Sequence, residues 1–150
     1  MLWVTTVLIS CKSGQDKGYH MTDMPVRKTI AVVRPPDTSQ LVVVARFENV
    51  SNFDVFVLKD PPPLFVTSGT TGIDDIGPSE KRKPYEPADY ERVAPAQSTE
   101  RRQEISSAFA WLPKTNTYEV SISGNYEDPA DHRTWNSPRV AARFDWTKEP

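Results

Sequence analysis

The sequence predicts an all-β fold, an antiparallel immunoglobulin-like β-sandwich of about seven strands with one short helix. Three observations point there. Short apolar-alternating runs recur at regular spacing, turn residues separate them, and no strand-helix-strand alternation is present. Fourteen prolines stand against six glycines in 150 residues, and they recur at intervals too short for a long helix, because proline removes a ladder donor and blocks helix interiors. A small closed barrel is the alternative architecture.

The elements follow in order. Val26 to Val33 reads as the first strand, closed by the turn Pro35-Pro36-Asp37. The strongest β signal comes next, with Leu41, Val43, Ala45 and Phe47 on one face and Val42, Val44, Arg46 and Glu48 on the other. Asn49-Val50-Ser51-Asn52 has turn chemistry, and Phe53 to Lys59 alternates after it, so these two strands are expected to form a hairpin. Leu64 to Thr67 is a short apolar strand behind Pro61-Pro62-Pro63, Ser68 to Ser79 reads as a loop, and Lys81-Arg82-Lys83 as a solvated basic edge. Thr99 to Ile105 has only Ile105 to bury and reads as a charged edge strand. Ser106 to Leu112 is the short helix, with Phe109 and Leu112 on one side and Pro113 ending it. Tyr118, Val120 and Ile122 alternate with polar residues, and Val140, Ala142, Phe144 and Trp146 share a face of the last strand. Trp111 and Trp146 read as core residues.

Ahead of this body, Leu2 to Ile9 is a short apolar run ending in Leu8-Ile9-Ser10-Cys11, which holds the chain's one cysteine. Residues 1–10 read as an export signal, and Leu-Ile-Ser-Cys is similar to a bacterial lipobox, which would make Cys11 a lipid anchor and residues 11–25 a polar tether. An ordinary N-terminal strand with a free cysteine is the competing reading. The body, residues 26–150, is then expected in the periplasm, held at the membrane through lipid alone, or secreted. A single cysteine makes no internal disulfide, so the core must carry the fold. The formal charge of −2 comes from interspersed residues of both signs and advertises no nucleic-acid partner.

Catalytic and metal motifs are missing from the sequence. His20 and His132 stand far apart, there is no His-Glu-x-x-His, no Gly-x-Ser-x-Gly and no phosphate-cradling glycine loop, and Asp74-Asp75 falls in the expected loop. No cofactor and no metal site are expected, and a binding module is favoured over an enzyme.

Two stretches carry a family resemblance. Leu41 to Lys59, "LVVVARFENVSNFDVFVLK", is similar to a strand, Asn-containing turn and strand in the prodomain of deuterolysin-type (aspzincin) metallopeptidases. Lys83 to Tyr126 resembles the later half of that prodomain at Tyr90, Ala94-Pro95, Ser98, Phe109-Ala110-Trp111-Leu112 and Tyr118-Glu119-Val120-Ser121. Ala96 stands where the family pattern has glycine, Asn116-Thr117 replaces another glycine, and the catalytic zinc domain is not in this sequence. The resemblance implies an immunoglobulin-like domain that covers a zinc peptidase's cleft. Free-standing and lipid-anchored, such a domain would be an inhibitor or immunity protein with a metallopeptidase as partner; an envelope-assembly lipoprotein binding another envelope protein is the alternative.

The loop Asn125 to Pro138 is the expected partner-binding element, with Tyr126, His132, Arg133 and Trp135 as aromatic and basic anchors and Asp128 and Asp131 as carboxylates for a metal or a basic patch. The competing reading tucks Trp135 under the sandwich and leaves His132 in solvent. A second expected surface is the stiff proline run presenting Leu64 and Phe65.

Overall fold

The structure is a computed structural model that describes residues 24–36, 38–68, 71–76, 85–110, 112 and 117–146, the side chains of 71–76 excepted. The export signal, Cys11, most of the tether, the Lys81-Arg82-Lys83 cluster and Trp111 lie outside the described residues. Met24 and Pro25, assigned by the sequence to the tether, already pack with the body, where the Pro25 carbonyl accepts the Val50 amide at 2.9 Å.

The all-β expectation holds, with eleven strands among the described residues. One sheet has the order β1-β2-β7, formed by Val26–Val33, Val42–Asn49 and Ser98–Glu104, all antiparallel. The facing sheet has the order β11-β8-β4-β5, formed by Val140–Asp145, Thr117–Ile122, Leu64–Ser68 and Thr71–Ile76. Two short ladders complete the fold: β3 (Val55–Leu58) with β6 (Tyr90–Val93), and β9 (Tyr126–Glu127) with β10 (Thr134–Trp135).

One core lies between the sheets. Val43, Ala45 and Phe47 enter it from β2, Leu64 and Val66 from β4, and Tyr118, Val120 and Ile122 from β8, each on the face that its alternation predicts. Tyr118, Phe144 and Trp146 stack in series at 5.7 and 6.1 Å between ring centroids. Burying an aliphatic or aromatic side chain of this size contributes about 1.5–3 kcal/mol, and there is no disulfide in reserve. β7 is an edge strand as expected, with Ile105 buried just past its end. Its Arg101 points inward, donating from Nε to the Leu58 carbonyl at 2.7 Å and pairing with Glu91 at 2.9 Å, a device that discourages further strand addition.

Three expectations are corrected. β2 and β3 do not form a hairpin; β2 pairs with β1 and β7, while β3 pairs with β6. The cause is Asn49, whose carboxamide turns inward, 1% exposed, and donates to the carbonyls of Phe53 (2.7 Å) and Val93 (2.8 Å). The turn becomes a corner that carries the chain on in the same direction beside β6 and β7. The Ser68–Ser79 loop contains β5, which pairs with β4 across a register irregularity at Phe65/Val66. β4 supplies the ladder that this weakly apolar segment lacks in its own pattern. Finally, where the sequence predicts a helix over Ser106–Leu112, residues 106–110 are turns, with Phe109 N bonded to Ile105 O and Leu112 N to Phe109 O; Phe109 and Leu112 are buried as expected.

Candidate functional site

The β9–β10 hairpin stands at one end of the sandwich, and its foot and tip are chemically different. At the foot Tyr126 and Trp135 are cross-strand partners, 6% and 5% exposed, with ring centroids 5.5 Å apart. The Tyr126 hydroxyl accepts the Phe56 amide at 3.2 Å, which ties the hairpin to β3. Burial pushes the Tyr126 phenol up to about 12. Tyr126 is corrected from a partner-facing ring to a core residue, and Trp135 follows the competing reading that tucks it under the sandwich, because two-residue strands are held by burying what they carry.

The tip runs from Asp128 to Arg133 and is closed by hydrogen bonds from Asp128 N to Arg133 O and from His132 N to Asp128 O, both 2.9 Å. Asp128 Oδ1 accepts the Ala130 amide at 2.8 Å and Asp131 Oδ1 the Arg133 amide at 2.9 Å, two Asx turns in succession. His132 has φ 57°, a left-handed conformation that a non-glycine residue adopts only when its surroundings impose it. Its Nδ1 lies 3.0 Å from Glu127 Oε1. A carboxylate only accepts, so Nδ1 is the donor of this pair. Arg133 lies over the Trp135 ring at 5.6 Å, and the side chains of Asp131, His132 and Arg133 are all exposed.

The proline surface is only half as expected. Leu64 is 1% exposed and belongs to the core, since it starts β4 on the inward row. Phe65 faces the other side, half-buried beneath the Arg139 guanidinium at 3.9 Å from its ring centre. Pro61 to Pro63 form one wall of a groove of about 350 Å³ that also takes in Phe56, Phe65, Tyr90 and Lys28. A second groove of about 400 Å³ continues past Phe56, Tyr85 and Tyr90 to Pro129 and His132, so aromatic surface reaches the hairpin tip.

Lys28 is the residue that pattern reading missed. It stands on the inward row of β1 between Val26 and Ile30, opposite Phe47, where apolar side chains are the rule. Its Nζ donates to the carbonyls of Asn125 and, at 3.2 Å, of Ser123, and lies 5.9 Å from the Phe47 ring centre. Desolvation by burial lowers its pKa to about 8. One polar residue in an apolar alternation was the available signal.

Among the described residues no group of three or more His, Cys, Asp and Glu is placed to hold a metal ion, and no helix is long and apolar enough to cross a membrane. No family model and no curated protein matches the sequence.

Proposed function

We propose that this chain is an exported inhibitor domain, anchored through Cys11, that blocks a zinc metallopeptidase of the deuterolysin type by inserting the Asp128–Arg133 tip into its cleft. The observation that carries this reading is His132. Metal-bound histidines usually donate their second ring nitrogen to a carboxylate, which fixes the tautomer and raises the basicity of the ligating nitrogen. Glu127 holds His132 in that arrangement at 3.0 Å before any metal is met, on a loop whose backbone is already closed. A catalytic zinc keeps one coordination position open, and an incoming imidazole is a suitable ligand for it. Preorganisation lowers the ordering cost of binding, and the buried foot supplies it here. Ala96 adds support for the family resemblance: it has φ 61°, the conformation glycine adopts most readily, at the place where the prodomain pattern has glycine.

The test is a protease assay with a deuterolysin-type peptidase and the full chain. A stoichiometric complex with proteolysis abolished is expected, and His132→Ala should weaken inhibition by about thirtyfold, the size of an interface hot spot. Undiminished proteolysis in the presence of excess chain overturns the proposal. Fractionation of the expressing cells tests the anchor separately: Cys11→Ala should move the protein from membrane to soluble fractions.

A further inference from the structure

The groove beside Lys28 has an unusual composition for the inner edge of a sandwich. Its walls are aromatic and proline side chains, and its cation has no carboxylate within 4.0 Å among the described residues. An ammonium has three N–H donors; two go to the carbonyls of Ser123 and Asn125, which leaves one for a ligand. Of the acidic residues on the groove, Glu127 is turned to His132 and Asp60 is an exposed residue ahead of the proline wall. A half-buried cation without a counter-charge carries a desolvation cost that an anionic group would offset.

We propose that this groove binds a small apolar monocarboxylate, its carboxylate on the Lys28 ammonium and its apolar body between Phe56, Tyr90 and the Pro61–Pro63 wall. The volume of about 350 Å³ is that of a small-molecule site. The wall selects against a polypeptide. Pro61, Pro62 and Pro63 offer no N–H to a bound main chain, whereas an acyl or aryl body needs none. The lowered pKa of Lys28 agrees with this arrangement, because desolvation without a counter-charge lowers it and a bound carboxylate would raise it again.

Calorimetry of the full chain with octanoate and with octan-1-ol tests the site. Octanoate should bind saturably at one site and the alcohol about tenfold more weakly, the worth of one charge-assisted hydrogen bond. Lys28→Met, which fits the apolar row of β1, should bring octanoate down to the alcohol's affinity, and Lys28→Arg should retain most of it. Nitrogen-detected NMR of Lys28 should show its titration move upward from about 8 when octanoate is bound. Equal affinity for acid and alcohol, or no saturable octanoate binding, overturns the proposal. A tetrapeptide with a free C-terminal leucine that binds more tightly than octanoate overturns it too, in favour of a polypeptide terminus. Asp131→Ala, in the tip but lining neither groove, should leave octanoate binding unchanged, so this site and the peptidase-inhibiting tip fail independently.

Discussion

The corner at Asn49 and the tip of the β9–β10 hairpin are built with the same devices. Each has an Asx side chain accepting a backbone amide two residues on: Asn49 Oδ1 from Ser51 N at 2.9 Å, Asp128 Oδ1 from Ala130 N at 2.8 Å. Each also has one non-glycine residue in the left-handed region, Ala96 at φ 61° beside the corner and His132 at φ 57° in the tip. They differ in where the rest of the polar capacity goes. Asn49 spends its Nδ2 donors inside the protein, on Phe53 and Val93, and its own amide and carbonyl bond Gln97 and Ala96. The tip keeps the Asp131 carboxylate edge and His132 Nε2 at the surface. Identical local chemistry is a joint when it is buried and a presented surface when it is not.

The largest effect should come from the tip's own foundation. Trp135→Ala removes the buried partner of Tyr126 and should cost about 4 kcal/mol in urea unfolding. His132→Ala and Asp131→Ala, three and four residues away from it in the same hairpin, should change stability by less than about 0.5 kcal/mol. Equal costs at foot and tip would remove the distinction between them.

Asn49→Ala comes next. It leaves the carbonyls of Phe53 and Val93 without their donor and should cost about 3 kcal/mol, with a fall in Tm of about 10 °C in calorimetry. Asp128→Ala removes a comparable turn bond in reach of water and should cost about 0.5 kcal/mol. A small loss for Asn49→Ala would mean that the corner is held by the strands around it and not by its carboxamide.

The two left-handed residues sharpen the comparison further. Ala96→Gly should raise stability by about 0.5 kcal/mol, the relief of strain exceeding the entropy that glycine adds to the unfolded chain. His132→Gly should give a similar gain in thermal unfolding, yet weaken the proposed inhibition by about thirtyfold, as His132→Ala does. Strain at the corner would then be incidental, and strain at the tip retained for what His132 presents.

The legible parts of the sequence were those with a single buried face. β2 and β11 alternate over six or more residues, and β8 does so up to the buried Ser121, so the core followed directly from them. β5 was not legible because its partner's ladder, rather than its own composition, makes it a strand. The corner was not legible because Asn-Val-Ser-Asn is equally good hairpin chemistry, and only the inward turn of the Asn49 carboxamide decides between the two. In the candidate hairpin, the sequence left open whether Trp135 faces out or tucks under the sandwich, and it placed Tyr126 on the outside. Tyr126 and Trp135 lie in strands of two residues, too short to show which way a ring points. The pairing of His132 with Glu127 spans a turn and has no sequence signature.

The smallest effect concerns the strand that leads into the corner. Glu91 on β6 is held below its ordinary value, first by the Thr99 hydroxyl that donates to it at 2.8 Å and then by Arg101 on β7. As the pH falls, the unfolded chain takes up this proton first, at its value near 4.5, while the folded carboxylate resists it. The stabilisation is therefore complete above that value and is lost as the pH drops through the folded pKa. Glu91 is partly open to solvent, so screening limits the contribution to about 0.5 kcal/mol. Glu91→Gln should lower stability at neutral pH by that amount and flatten the acid limb of a stability-pH profile taken with urea. The same substitution should leave the proposed inhibition by the tip untouched, because the contacts of Glu91 with Thr99 and Arg101 involve none of the side chains that anchor the hairpin. A variant that lost both stability and inhibition would show that the corner transmits its strain to the tip, and the two regions would have to be treated as one.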